Sequence, residues 1–206
     1  SLAGMLFHHV RAVLHSPTYR EENGGALRHD WPRIPLPATL DALDASGELG
    51  RSIAALLDPE QTVEGVTAGQ VRSDLRDIAV LRRAEGREKP LDPAAGDLAV
   101  TVGWGYLIRD GTVTMPGQGK VVETESGSYD IYLNEVALWH NVPAEVWNYT
   151  LGGYPVLKKW LSYREKEVLG RDLKPEEART FTEIARRIAA ILALHADLDA
   201  NYQAVK

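Results

Sequence analysis

Cysteine is absent from the 206 residues of this chain, and so is any long run of apolar residues. Without cysteine there is no disulfide framework and no thiolate metal site. A membrane-spanning helix needs roughly 20 consecutive apolar residues, and the N-terminus also lacks the pattern of a signal peptide. A hydrophobic content of 44% is nevertheless enough for a buried core. These features predict a globular protein of the cytoplasm.

The motifs of several enzyme classes are also missing. The chain has no Pro-Pro pair and therefore no Asp/Asn-Pro-Pro-Tyr motif, and Gly103-Trp104-Gly105 lies in a strand-like pattern without the helix that a methyl-donor site requires. Gly119-Lys120 lacks the first glycine and the Ser/Thr of a phosphate-binding loop. The six histidines show no spacing typical of a zinc pair. We therefore predict no catalytic, cofactor-binding or metal-binding residues in the chain.

Helical patterns dominate the N-terminal third. Apolar residues at helical spacing predict a first helix up to about residue 15, and Ser16-Pro17 predicts an N-cap and first turn that start a second one. The second helix should end near residue 29 and turn Tyr19, Ala26 and Leu27 inward. The alternating prolines of residues 31–37 predict an extended segment. A third helix is expected at about 39–57, and residues 71–83 form either a fourth helix or the start of a connection.

The middle of the chain changes to a period of two. Residues 86–96, with two prolines and two glycines, are the best candidate for a linker. Alternating apolar residues from 98 to 108 predict a strand, Asp110-Gly111 predicts a hairpin turn into residues 112–115, and further strands are expected at 121–122 and 129–133. Helices return after residue 143, and the clearest of them starts at Pro175.

These patterns predict an α+β fold with N-terminal helices, a small and mostly antiparallel sheet in the middle, and C-terminal helices. The corresponding parts are a helical part at 1–85, the linker at 86–96, and a part at 97–206 that contains the sheet and the C-terminal helices.

Basic residues are concentrated in one region, although the net charge is −6. Between residues 157 and 187, nine Lys and Arg residues occur with six acids. Trp160 and Tyr163 are interleaved with Lys158, Lys159 and Arg164, and mixed basic and aromatic surfaces suit phosphate contact and base stacking. A solvated helix face is the alternative, and the pattern leaves both open.

Gly152-Gly153-Tyr154 is a second candidate site. Two consecutive glycines permit positive φ and close approach of the backbone to a partner. The pair either ends one helix before Pro155 begins the next, or forms a loop that presents backbone N–H groups and Tyr154 to a ligand. The two interpretations are compatible.

Three ordered blocks resemble a known family. The first contains Leu-His-Ser-Pro-x-Tyr-Arg at residues 14–20 and Pro-Arg-Ile-Pro at 32–35. The second contains Tyr-x-Asn at 132–134, Val-Pro-x-Glu-Val-Trp-Asn-Tyr at 142–149, Gly-Gly-Tyr at 152–154 and Lys-Trp-Leu at 159–161. The third is the helix from residue 176 to about 202. Together they resemble the C-terminal target recognition region of type ISP restriction-modification enzymes and related adenine-specific DNA methyltransferases.

The resemblance implies a target recognition domain that binds double-stranded DNA. The chain would be a fragment of a larger adenine-N6 DNA methyltransferase or restriction-modification enzyme, joined through its N-terminal helices to an upstream methyltransferase core that uses S-adenosylmethionine. One departure is Lys174, where the family tends to have Ser or Thr before its last helix, and this predicts a weaker cap.

The implied roles divide between phosphate and base contacts. Lysine and arginine would position the phosphates, and the Asn and Tyr side chains of nearby loops would contact base edges. The candidate DNA-binding residues are Asn134, Asn148, Gly152, Gly153, Tyr154, Lys158, Lys159 and Arg164. The alternative function is a protein-docking scaffold that binds a partner through residues 31–37 and the aromatic surface.

Overall fold

The computed structural model describes residues 1–85, 89–105, 107–109, 112–114 and 117–206. Its contacts divide the chain into two compact units. Unit 1 comprises Ser1–Glu64 and Ala190–Lys206, and unit 2 comprises Gly65–Ala189.

Helices occupy both ends of the chain and short stretches between them. The α-helices are α1 (Leu2–His15), α2 (Pro17–Asn23), α3 (Leu40–Leu57), α4 (Ser73–Arg76), α5 (Ala144–Trp147), α6 (Val156–Ser162), α7 (Lys166–Leu169), α8 (Pro175–Ala193) and α9 (His195–Val205). Two short 3₁₀ helices lie at Ala26–Arg28 and Pro93–Ala95.

The strands lie between α4 and α6 and form antiparallel pairs. They are β1 (Val80–Arg83), β2 (Leu107–Arg109), β3 (Thr112–Thr114), β4 (Val121–Glu123), β5 (Ser128–Tyr132), β6 (Ala137–Pro143), β7 (Thr150–Leu151) and β8 (Tyr154–Pro155). The main sheet has the order β1-β6-β5-β4, and β2-β3 and β7-β8 are separate two-stranded sheets. This arrangement confirms the predicted α+β fold with an antiparallel sheet in the middle.

In unit 1, α1 and α3 approach so closely that only glycine fits at one point of the crossing. A Cβ added at Gly50 would lie 1.8 Å from the carbonyl oxygen of His8. His9 is fully buried near this crossing, and its ring nitrogens lie 2.7 Å from Ser46 Oγ and 2.9 Å from the carbonyl oxygen of Pro35. His9 therefore links both helices to the extended segment that follows α2.

The start of α2 is held by a C-terminal helix. Ser16 caps α2 by accepting a hydrogen bond from the Tyr19 N–H, and its hydroxyl donates to Asp199 Oδ1 in α9 at 2.5 Å. The buried Tyr19 and Tyr202 rings meet edge to face with their centroids 5.2 Å apart. The Tyr202 hydroxyl donates to Glu22. The Ser-Pro helix start predicted from the sequence is thus confirmed, and α9 stabilises it.

The predicted second helix was too long. It ends at Asn23, and the 3₁₀ turn that follows leaves Ala26 exposed, so the prediction that Ala26 faces inward was wrong. Two consecutive glycines at 24–25 weaken the helix at that point, because glycine lowers helix stability. The next segment is extended as predicted, and the Tyr19 hydroxyl donates a hydrogen bond to the carbonyl of Arg33 in it.

An aromatic cluster forms part of the core of unit 2. The Trp139 ring of β6 is stacked on Phe181 of α8, with centroids 4.0 Å apart, and Trp160 of α6 meets the Phe181 ring edge to face at 5.6 Å. The Trp139 indole N–H also donates to the carbonyl of Ala178. One cluster therefore joins the sheet, α6 and α8.

The strand predicted at residues 98–108 was wrong for its first part, because strand β2 includes only Leu107–Arg109. Residues 98–105 are instead held by single bonds to several elements. The Thr101 N–H donates to Leu133, and the carbonyls of Val100 and Leu98 accept from residues 166 and 173. The alternation that predicted a strand reflects the burial of residues 98, 100 and 104. Residues 110, 111 and 115 of the predicted hairpin lie outside the described residues.

The boundaries between the two compact units do not fall in the predicted linker. Residues on both sides of 86–96 belong to unit 2, since β1 pairs with β6 and the guanidinium of Arg83 donates to Asp97. Of that segment, residues 86–88 lie outside the described residues. The preceding stretch, 71–83, contains both α4 and β1 and no continuous helix. The functional division into 1–85 and 97–206 stays a prediction.

The side chain of Glu177, the third residue of α8, accepts a hydrogen bond from the backbone just before the helix. The Glu177 carboxylate accepts from the Lys174 N–H at 2.8 Å and from both Arg171 Nη atoms, at 2.7 and 3.0 Å. A glutamate at this position satisfies one free N–H at the helix start. Glu177 therefore compensates in part for the missing Ser or Thr at Lys174.

Replacing Gly50 by alanine should destabilise the protein strongly, because the new methyl group would collide with the backbone of His8. We expect a loss of about 3 kcal/mol in the free energy of unfolding, the upper range for overpacking. Urea denaturation measures it. Gly25→Ala is the matched control, since a Cβ there meets no atom within 4 Å and φ is −68°. Equal stability of the two variants would contradict the close crossing of α1 and α3.

Glu177→Gln should remove an acid-sensitive part of the stability. Hydrogen bonds from Arg171 and then from the Lys174 N–H lower the pKa of Glu177 from 4.5 to about 2. A depressed folded-state pKa stabilises the protein above the unfolded value, and this contribution is lost as pH falls from about 4.5 towards 2. We expect a loss of roughly 1 kcal/mol at pH 7, reduced by solvent screening around the exposed Arg171.

Unfolding experiments between pH 7 and pH 2 check this pH dependence, with Glu176→Gln as control in the same helical turn. The difference between Glu177→Gln and the unsubstituted protein should shrink towards zero at the acid end. A difference that is independent of pH would show that the carboxylate charge is not responsible.

Candidate nucleic-acid interface

The Gly152-Gly153 pair forms the turn of a short hairpin. Both glycines have positive φ, 58° and 82°, and they connect β7 to β8 in a two-residue loop. Positive φ at both central residues is the geometry of the turn that suits a tight hairpin. The sequence predicted the end of a helix, an exposed loop or both at this position, and the structure has a turn between two strands. The turn is exposed, and a Cβ at either glycine would meet no atom within 4 Å.

Tyr154 and Lys159 form a basic and aromatic contact beside this turn. Tyr154 is 59% exposed, and the Lys159 ammonium lies 3.7 Å from the centroid of its ring. Lys158 precedes it in α6, and both lysines are half-buried. In the described part of the chain neither lysine forms an ion pair. No described carboxylate neutralises their charges, which can therefore attract an anion.

Arg164 packs against the Trp160 ring of α6. Its guanidinium lies 3.9 Å from the centroid of the Trp160 ring, and Nη1 donates to the carbonyl of Trp160. Burial lowers the pKa of Arg164, and its buried Nε has no hydrogen-bond partner among the described residues. The structure thus places Arg164 against Trp160 as a packed side chain that is half-buried, as the two lysines are.

Asn134 lies elsewhere, in the turn between β5 and β6. Its amide nitrogen donates to the carbonyls of Asp97 and Ala99, and its oxygen accepts from the N–H groups of Val136 and Ala137. All the hydrogen-bonding capacity of a side-chain amide that faces the protein is thereby used. Contact with a base edge would require these bonds to break, so the geometry assigns Asn134 a structural role.

Asn148 differs from Asn134 in its surroundings. It follows α5 as the C-cap residue and is exposed two residues before β7. Its position next to the hairpin leaves the amide open to solvent. Asn148 is therefore close to the hairpin and α6 in the sequence. Tyr154 and Lys159 are in direct contact. The partners of Asn134 are instead residues 97, 99, 136 and 137.

Glu165 was missed in the sequence analysis. This buried carboxylate accepts hydrogen bonds from three consecutive backbone N–H groups, those of Gly103, Trp104 and Gly105, at 3.1, 2.7 and 3.2 Å. The Gly-Trp-Gly sequence that failed as a cofactor motif is therefore an internal site for a carboxylate. The sequence gives no signal for this role, because Glu165 stands between Arg164 and Lys166 like an ordinary surface charge and its partners lie about 60 positions earlier.

A polar cluster on the main sheet was also missed. Asp130 Oδ1 lies 2.7 Å from His140 Nδ1, and Arg82 Nη2 lies 2.8 Å from the same nitrogen. A pocket of about 660 Å³ adjoins it, lined by Arg82, Arg83, Lys89 and His140 together with apolar residues of β1 and residues 90–91. Asp130 and Asp97 pair with the two arginines, so most of the positive charge is balanced internally.

Across residues 1–85, 89–105, 107–109, 112–114 and 117–206, no three or more His, Asp or Glu side chains are grouped as metal ligands. Among the helices of these ranges, none combines the length and apolar character needed to cross a membrane.

A family model described as the Type ISP C-terminal specificity domain matches residues 3–194. The chain belongs to this family. The match includes the blocks at 14–35, at 132–161 and at the start of the last helical region, and it confirms the resemblance that those blocks indicate. No curated protein matches the chain.

Two solved structures contain chains with a similar fold. In the cryo-EM structure of a DrdV–DNA complex, the match has 21% sequence identity and a TM-score of 0.52, and covers 95% of this chain and 17% of that one. The other is a nuclease-deletion mutant of the Type ISP restriction-modification enzyme LlaGI in complex with a DNA substrate mimic. It has 20% identity and a TM-score of 0.51, with 97% and 16% covered. This chain spans about a sixth of either protein.

Membership of the family confirms the sequence prediction of a DNA target recognition domain of the restriction-modification class. It does not favour the alternative of a protein-docking scaffold. At these identities the two structures establish a shared fold, and the individual contact residues rest on the geometry of this chain.

Asn134→Ala should lower the stability of the protein, whereas Asn148→Ala should leave it almost unchanged. Loss of the Asn134 amide leaves two carbonyls and two N–H groups of unit 2 without partners, and we expect a loss of about 3 kcal/mol in the free energy of unfolding. The exposed Asn148→Ala should change stability by less than about 0.5 kcal/mol. Chemical denaturation measures both. A stable Asn134→Ala variant would restore Asn134 as a candidate for base contact.

Proposed function

We propose that the domain reads duplex DNA through the edge formed by the β7-β8 hairpin and α6. The contact between Tyr154 and Lys159 is the observation that carries this proposal, because it joins an exposed aromatic ring to a cation that forms no ion pair among the described residues. Phosphate contacts supply most of the affinity of such a surface, and aromatic rings and amides contact the bases.

The roles follow from exposure and from existing partners. Lys158 and Lys159 position phosphates, since their ammonium groups form no ion pair in the described part of the chain. Tyr154 and Asn148 contact the bases from exposed positions. Gly152 and Gly153 allow the backbone to approach the duplex, because no side chain stands between their N–H groups and a ligand.

Two members of the original candidate set take supporting roles. Arg164 holds Trp160 by its contact with the ring and restricts the orientation of α6. Asn134 holds residues 97–99 against the β5-β6 turn through its four hydrogen bonds. Neither is a primary contact in this proposal.

The domain acts within a larger polypeptide. We infer a parent adenine-N6 DNA methyltransferase or restriction-modification enzyme, whose upstream core binds S-adenosylmethionine and modifies the target adenine in the cytoplasm. Two facts support this: the family is a C-terminal specificity domain, and the two similar structures are DNA complexes of proteins about six times as long as this chain. In this division of labour the chain supplies recognition, and the core supplies chemistry.

Lys158→Ala and Lys159→Ala should each weaken duplex binding and flatten its dependence on salt. A cation that contacts phosphate contributes about one unit to the slope of log affinity against log salt concentration. Fluorescence anisotropy with a labelled duplex between 50 and 300 mM salt measures the slope. Lys206→Ala is the charge-matched control, since Lys206 belongs to unit 1 and already pairs with Glu22.

The control should keep the slope of the unsubstituted protein, and the double variant should lower the slope by about two units. Slopes that fall equally in all three single variants would show that only net charge matters. Binding without any dependence on salt would contradict the phosphate contacts.

A further inference from the structure

A groove lies between the edge strand β1 and helix α8. Its volume is about 370 Å³, and it is lined by Val80, Leu81, Pro175, Arg179, Thr182 and Arg186. Two of these six side chains are cations, and none of the six is an acid. All of them belong to unit 2. We call this feature the α8 groove, and its charge favours an anionic ligand.

Arg179 is the exposed cation of the α8 groove. Its guanidinium forms no ion pair or hydrogen bond with any residue that the structure describes. A guanidinium offers five N–H donors in a planar fork, which can bind the oxygens of a phosphate two at a time. Within the described structure these donors are available to a ligand, and no described acid competes for them.

Arg186 is held in place by backbone carbonyls. Its Nε donates to the carbonyl of Leu75 at 3.1 Å, and its Nη2 donates to that of Arg76 at 2.8 Å. These acceptors are neutral, so they orient the guanidinium without removing its charge. Burial lowers the pKa of Arg186, and the charges of Glu183 and Asp77 oppose this shift, although neither acid forms an ion pair with it. Arg186 therefore contributes an oriented cation to the groove.

The two arginines lie on the same face of α8, about two helical turns apart. Thr182 lies between them, and its hydroxyl donates to the carbonyl of Ala79 at 2.7 Å, which attaches α8 to the start of β1. The Cα atoms of Arg179 and Arg186 are about 10.5 Å apart along the helix axis, at 1.5 Å per residue. One strand of DNA rises about 3.4 Å per nucleotide. The spacing of the cations therefore matches phosphates about three nucleotides apart on one strand.

The α8 groove and α6 adjoin the same aromatic cluster. Phe181 precedes Thr182 in α8, and its ring meets the Trp160 ring of α6 with the centroids 5.6 Å apart. Trp139 is stacked on Phe181, and it pairs with Leu81 of the groove in the register of β1 and β6. The cluster therefore holds the arginines of the groove and the lysines of α6 on one core.

We propose that the α8 groove is a second surface for the phosphates of duplex DNA, where Arg179 and Arg186 bind the backbone in addition to the contacts of α6. This inference rests on the proposed function only in that the domain binds duplex DNA. Two cations at a fixed spacing suit a chain of phosphates, and a specificity domain of the restriction-modification class meets that chain in its DNA target. Phosphate contacts fix the register and orientation of a protein on the duplex and carry no sequence information directly. The groove thus positions the domain, and base contacts elsewhere read the sequence.

The salt dependence of duplex binding tests this surface. Arg179→Ala should lower the slope of log affinity against log salt concentration by about one unit, and Arg179→Ala combined with Arg186→Gln should lower it by about two. Arg179→Lys keeps the charge and should keep the slope. Arg51→Ala is the matched control, because Arg51 belongs to unit 1 and already pairs with Glu48. Thermal unfolding checks that each variant is folded, which the exposure of Arg179 favours.

A crosslinking experiment locates the contact directly. The chain contains no cysteine, so Arg179→Cys introduces a single thiol that can carry an azidophenacyl photo-crosslinker. Illumination of the complex with a labelled duplex should give a protein–DNA adduct, and Arg51→Cys with the same crosslinker should give none. A yield at residue 179 no higher than that at residue 51 would overturn the proposed contact.

The outcomes separate this inference from the proposed function. If Lys158→Ala and Lys159→Ala flatten the slope while Arg179→Ala does not, the α8 groove is overturned and the proposed edge at α6 stands. The reverse result would overturn the edge and support the groove. Binding without any dependence on salt would contradict both. Competition by poly-L-glutamate as strong as that by unlabelled duplex of equal charge would also overturn the inference, because the groove would then fit any polyanion, including an acidic protein.

Discussion

The stack of Trp139 on Phe181 is the contact on which unit 2 depends. It joins the central sheet to α8, and Trp160 brings α6 to the same cluster. Aromatic rings bury more area per residue than other side chains, and edge-to-face or stacked pairs add a further preference for one geometry. The position of α6 relative to the sheet is therefore set by three rings. Leu157 and Trp160 pack on the inner side of this helix, while Lys158 and Lys159 stay half-buried.

Polar side chains, and not strand ladders, hold the segment from 97 to 105. Asn134 bonds to its beginning and Glu165 to its end, and isolated backbone bonds to residues 133, 166 and 173 lie between them. Buried backbone groups must find partners, and here side chains and irregular backbone provide them. Such a segment can change direction at each bond, as a regular strand cannot.

Local patterns in the sequence predicted much of the fold. The Ser16-Pro17 cap, the Thr39 start of α3 and the start of α8 each depend on neighbours a few residues away, and all were recovered. The single last helix expected from 176 to about 202 was wrong in its extent, because the chain breaks at Leu194 into α8 and α9. The failures involved distant partners. Residues 98–105 alternate like a strand, but most of their hydrogen-bond partners lie between 28 and 75 positions later, at residues 132–134, 165, 166 and 173. The Gly152-Gly153 break was visible, whereas its hairpin geometry depends on the pairing of Thr150 with Pro155.

The surroundings of the candidate residues could be predicted only in part for the same reason, and their roles stay predictions. Composition identified the basic and aromatic region of α6, and the structure showed Lys159 against Tyr154. Composition could not show that Asn134 has four internal bonds, because its partners lie at residues 97, 99, 136 and 137. An exposed amide and a buried one are identical in sequence, so residue type alone cannot separate a base contact from a structural bond.

The count of cations between residues 157 and 187 overstates the basic surface. Arg171 pairs with Glu177, Lys166 pairs with Asp172, and Arg186 donates to the carbonyls of residues 75 and 76. The cations that form no ion pair with a described carboxylate are therefore fewer than the nine that composition counts. Composition counts charges one by one, whereas the charge that a surface presents depends on which acids the fold brings to each cation. Within α6 the described structure leaves Lys158 and Lys159 without such an acid, which is why the proposed phosphate contacts are assigned to them.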